Sequence, residues 1–191
     1  MFEHQRQMYL MTSAKGLSPD GDWDVQLLKI SHEIFRSAQR KARWHKLLAR
    51  FGLYQRKLCD LGAICITDCQ ELYELSGVRA IELDKICGSE GRCMDFDGEF
   101  LPLHDHMENR WSTIAALILQ GQSLPAVELI RAGEHYFIRD GHHRVSVARC
   151  LGQRHIDARV TVWDVMRAPE LETERAQAHS PSAEKVFSFA S

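Results

Sequence analysis

The sequence predicts an α+β protein, a small mixed β-sheet with helices preceded by a helical N-terminal region. Three observations predict it. Helical periodicity runs unbroken from the turn SPDGD to about Phe51. The second half alternates short apolar runs with glycine turns, and VELIR and HYFIR meet across Ala132-Gly133 as a hairpin. The helical stretches ENRWSTIAALILQGQ and HHRVSVARCLG flank that hairpin, ending near Gly121 and at Gly152. With 45% hydrophobic and 26% charged residues over 191 positions, the chain can bury a core and is not a disordered tail.

The elements follow in order. Asp20 or Asp22 caps the first helix, and Leu27, Ile30, Ile34, Ala38, Ala42, His45, Leu48 and Ala49 recur along one side of it. Arg36, Arg40, Arg43 and Arg50 fall on the other side. Residues 31–58 carry eight Lys or Arg against one acid, Glu33, although the net charge is −2. This basic stripe is either a solvated helix face or an electrostatic footprint for nucleic acid. Leu58 to Gly77 reads as a second, shorter helical piece. RAIELDKI alternates like a strand, and CGSEGRCMDFDGEFLPLHDH is a structured loop rich in glycine and acid. IDARVTVW is the last strand. Three regions result: helical 1–78, an α+β unit at 79–166, and a loosely ordered tail at 167–191.

No apolar run reaches the ~20 residues of a membrane span, and the N-terminus lacks the apolar core of a secretory signal, so a cytoplasmic protein without membrane partners is expected. The six cysteines are then reduced thiols. Cys59, Cys65, Cys69, Cys87 and Cys93, followed by His104 and His106, lack the paired spacing of a zinc knuckle, which favours buried thiols.

FIRDGHHRVSVARC holds the chemistry. Asp140, Gly141, His142, His143 and Arg144 are consecutive where a strand gives way to a helix. The first N–H groups of a helix lack acceptors, and the macrodipole makes that end positive. Arg144 and protonated His142 or His143 are disfavoured there unless an anion sits opposite. A phosphate fits: Gly141 lets it approach, the amides of His142, His143 and Arg144 converge on it, and Arg144 grips it. Asp140 either caps the helix and orients a histidine, or holds a metal or accepts a proton. The competing reading is a common Asp-Gly turn with structural histidines.

The segment from about Ile81 to Trp163, with its hairpin, the DGHHR mouth and the returning strand IDARVTVW, resembles the ParB/sulfiredoxin superfamily over somewhat under half the chain. It is most similar to bacterial ParB-like domain proteins carrying Asp-Gly-His-His-Arg. The resemblance implies a nucleotide pocket with phosphates held at Gly141 to Arg144. Sulfiredoxins have Gly-Gly-Cys-His-Arg, so His142 stands where they carry the catalytic cysteine, and sulfinic acid reduction by that route is not expected. Partition proteins have Gly-Glu-Arg-Arg, and their helix-turn-helix domain finds no counterpart in the short stretch after Trp163. Free-serine kinases, a third branch, transfer phosphate with an acidic base, chemistry that Asp-Gly-His accommodates.

Two functions are expected. One is a nucleotide-binding protein taking a nucleoside di- or triphosphate, with or without magnesium, either binding only or acting as a phosphotransferase or nucleotide hydrolase. Asp140, His142 and Asp95 are its candidate catalytic residues. Gly141, His142, His143, Arg144 and Arg92 are its candidate phosphate contacts, and Asp97 is a candidate magnesium ligand. The competing reading of Arg92, Asp95, Asp97 and Glu99 is that they organise a turn. The other function is a DNA-associated protein that uses Arg36, Arg40, Arg43 and Arg50. A homodimer is compatible with either.

Overall fold

The computed structural model describes residues 23–54, 57–64 and 70–164. The sequence turns at 18–22 and the tail at 167–191 lie outside the described residues. Helix α1 (Trp23–Arg50) carries buried side chains at Leu27, Ser31, Phe35, Ala38 and Ala42, with Gln39 buried beside them. That spacing of four and three is the stripe a helix needs to lie against a core. Its outer face is not uniformly basic, because Trp44 and Leu47 stand exposed among the arginines.

The expectation of a second helix over 58–77 is corrected. Strand β1 (Cys59–Asp60) and a single turn, α2 (Leu61–Ile64), open this region, and Gln70–Glu74 forms strand β2. In Gln-Glu-Leu-Tyr-Glu the pairing with the last strand outweighs helical propensity, a tertiary override. The region before residue 79 therefore contributes two strands to the sheet as well as a helix. RAIELDKI also divides. Strand β3 (Arg79–Glu82) is cut by a 3₁₀ turn at Leu83–Lys85 from strand β4 (Ile86–Ser89), and the two pair with different partners. The hairpin β5 (Val127–Ala132) and β6 (His135–Asp140), and the helices α3 (Glu108–Leu119) and α4 (His142–Cys150), match the sequence expectations closely. Strand β7 (His155–Asp164) completes the described chain.

Among the described residues one seven-stranded mixed sheet runs β1-β4-β6-β5-β7-β2, with β3 also on β7. β4 and β6 are parallel, β5 and β6 antiparallel, and β5 and β7 parallel. The order places the C-terminal ends of β4 and β6 side by side, Ser89 opposite Ile138, so the loop after one strand meets the helix after the other. Phe35 of α1, Trp111 of α3 and Val145, Val147 and Ala148 of α4 pack with Val127, Leu129 and Ile138 into the main core. Leu61, Ile130 and Phe137 form a smaller cluster, to which β5 and β6 contribute the neighbours of their main-core residues, as the pleat requires. The Trp111 ring meets Phe35 edge-on at 5.5 Å, and its indole N–H donates to Ser146 Oγ at 2.9 Å. Three helices are thereby pinned through one side chain.

Candidate functional site

β6 ends at Asp140, and the chain then turns through Gly141 at φ 95°, in the left-handed region that L side chains avoid. The glycine is also needed for space, because a Cβ there would lie 2.5 Å from Val127 Cγ1. α4 starts at His142 with no side chain capping it, which leaves the first amides of the helix to the cleft. That cleft is lined by Arg92, Arg110, Ile114, Asp140, Gly141, His142, His143 and Arg144.

Both imidazoles are more than nine-tenths buried. Burial first, and then the Arg92 guanidinium, push His142 down to about 4. Burial followed by Arg110 and Arg92 does the same to His143. Burial and the neighbouring guanidinium groups thus disfavour imidazolium at the helix mouth when no anion is present, and the positive charge lining the cleft belongs to arginines. His142 Nε2 lies 2.6 Å from Ser89 Oγ. His143 Nδ1 is buried with no hydrogen-bond partner, an expensive state for a polar atom. Phe96 holds both rings, stacked near His142 at 6.2 Å and edge-on to His143 at 5.8 Å.

The other sequence candidates separate. Arg92 lines the cleft, half exposed, with Asp95 3.8 Å from it. Asp97 does not line it. Its Oδ1 accepts from the amides of Glu99 and Leu101, each at 2.9 Å, and its Oδ2 takes a 2.7 Å contact from His45 Nδ1. Asp97 thus ties its own loop to α1, the turn-organising role weighed for it from the sequence. Arg144 lies in the cleft but is already engaged, donating to Pro125 O, to Ala126 O at 2.9 Å and to Asp140 Oδ2 at 2.7 Å.

Arg110 and Ser89 were missed by the sequence reading. Arg110 carried a usable signal, since a cation in the first turn of α3 is as unfavourable against the macrodipole as those of the DGHHR segment. Ser89 carried none.

Along α1, Arg36 donates to Glu108 at 3.1 Å and Arg43 to Asp105 at 3.2 Å, while Arg40 and Arg50 have no ion pair among the described residues. The described cysteines Cys59, Cys87, Cys93 and Cys150 are partly buried thiols, and burial with Asp60 nearby pushes Cys93 up to about 11. Among the described residues no three His, Cys, Asp or Glu side chains gather as a metal cage, and no helix is long and apolar enough to cross a membrane.

No protein-family model matches the sequence, and no curated protein matches it. Among solved structures the chain is similar to sulfiredoxin from Arabidopsis thaliana, at 19% identity over 55% of this chain and 99% of that one, with a TM-score of 0.34. So loose a likeness assigns no family. The α+β class rests on the strands and helices themselves.

Proposed function

We propose that this chain is a ParB/sulfiredoxin-type protein that binds a nucleoside di- or triphosphate, with the phosphates at the mouth of α4. One observation carries the reading: the uncapped start of α4, the His143 side chain and the guanidinium groups of Arg92 and Arg110 meet in a single cleft. Backbone amides and arginines together are what an anion of high charge requires. Phosphoryl transfer to an acceptor or to water is the chemistry that follows. It needs neutralised oxygens, which Arg92 and Arg110 supply, and a carboxylate near the acceptor. Asp140 stands at the rim and Asp95 beside Arg92, so either can take the proton. Magnesium belongs to this reading as part of the nucleotide substrate, not as an ion caged by the protein.

Calorimetry with ATP, CTP, GTP and ADP, with and without magnesium, tests it. A Kd on the order of 1 μM for at least one nucleotide is expected, equivalent to roughly 8 kcal/mol. Absence of heat with all four removes the proposal. The DNA-associated alternative has less support, because two of its four arginines already face carboxylates.

A further inference from the structure

Ser89 Oγ sits at the centre of three contacts. The amides of Gly91 and Arg92 donate to it at 3.2 and 3.0 Å, and His142 Nε2 lies 2.6 Å away. A hydroxyl has two acceptor lone pairs and one proton. Both lone pairs are used by backbone N–H groups, so the proton must point at Nε2. That nitrogen is then the acceptor, and the ring carries its own hydrogen on Nδ1. Protonating Nε2 would aim a third donor at an oxygen with nothing left to accept it.

We infer that Ser89 is a positioning residue that locks His142 in the neutral Nδ1–H tautomer, so that this ring offers the cleft an N–H donor and no base. A buried serine against a histidine also resembles a nucleophile and its base. The contacts argue otherwise, because Ser89 is fully buried and its lone pairs are occupied. The same hydroxyl fixes the amide of Arg92, so one side chain sets both the donor ring and the loop that brings the arginine into the cleft. His142 is accordingly removed from the catalytic role expected of it, and Asp140 and Asp95 remain as proton acceptors.

The inference rests on the phosphate reading for its use, but its test does not. Long-range ¹H–¹⁵N spectra of the full chain report the tautomer of each histidine, and His142→Gln assigns the signal. The wild-type ring is expected to show the Nδ1–H pattern, unchanged between about pH 8 and pH 5, where an ordinary histidine titrates. The charged or titratable groups that face it are Arg92 and Asp95 from the loop, Asp140 from β6 and His143 from α4. In Ser89→Ala the single tautomer is lost and the titration midpoint rises. An Nε2–H ring or an imidazolium at pH 7 in the wild type overturns the inference, whether or not the variant folds. Titration with inorganic pyrophosphate separates the two proposals. The correct tautomer with no pyrophosphate response upholds the Ser89 lock and sinks the anion reading, and the wrong tautomer with a clear response does the reverse.

Discussion

Arg144 reaches back one helical turn to hold Asp140 Oδ2 at 2.7 Å. The same guanidinium binds the carbonyls of Pro125 and Ala126, so it clamps the last residue of β6 and the approach to β5 onto the first turn of α4. The strongest cation in the motif is therefore a strut. Arg92, with Asp95 3.8 Å away, and Arg110, with no ion pair among the described residues, are the other guanidinium groups lining the cleft.

That division separates stability from affinity. Arg144→Ala is expected to cost about 2 kcal/mol of unfolding free energy, the usual worth of charge-assisted hydrogen bonds. Arg144→Lys recovers little of it, since an ammonium cannot fork. Arg92→Ala and Arg110→Ala should leave stability within about 0.5 kcal/mol. Each should weaken pyrophosphate binding about tenfold, equivalent to about 1.4 kcal/mol. Urea unfolding and calorimetry on the same four variants check it, and an Arg110→Ala protein with unchanged affinity would contradict it.

Gly141→Ala meets two penalties. A non-glycine residue at φ 95° is strained by about 1–3 kcal/mol. Its Cβ also collides with Val127, 2.5 Å from Cγ1 and 2.9 Å from Cβ. Adding Val127→Ala removes the Cγ1 collision but leaves the 2.9 Å approach to the Cβ of residue 127 and the strain, so the double variant remains less stable than Val127→Ala alone. Denaturation midpoints of the three variants and the wild type measure the difference.

Acid should loosen the protein early. His142 and His143 are held at about 4, below the ordinary histidine value of 6.5, so between those values the unfolded chain binds protons that the folded chain refuses. Folding stability contributed by each ring is present above about 6.5 and falls as pH drops towards 4. The slope is about 1.4 kcal/mol per pH unit per imidazole. Urea midpoints of wild type and His142→Gln/His143→Gln, taken from pH 7 to pH 4.5, should converge as pH falls. Parallel curves would show that the rings are not buried as neutral bases.

How much of this was legible beforehand differs between elements. The glycine stops, the hairpin and the periodicity of α1 are local signals, and α1, α3, α4, β5 and β6 fell where those signals placed them. β2 was misread because Gln-Glu-Leu-Tyr-Glu carries no strand pattern of its own, and its identity comes from pairing with β7. RAIELDKI looked continuous because a 3₁₀ turn spends only three residues in reaching a new partner.

The sequence alone determined the α+β class and the glycine turn that leads from a strand into a helix at Gly141, because glycine conformation and hydrophobic period are properties of neighbours in the chain. Tertiary structure alone decided which charges are free. Arg144 was consumed by carbonyls 18 and 19 residues away, Asp97 by His45 of α1, and burial lowered the pKa of both histidines. Arg110 and Ser89 arrived from other elements, for hydrogen bonding and desolvation act through space, and no spacing along the chain encodes them.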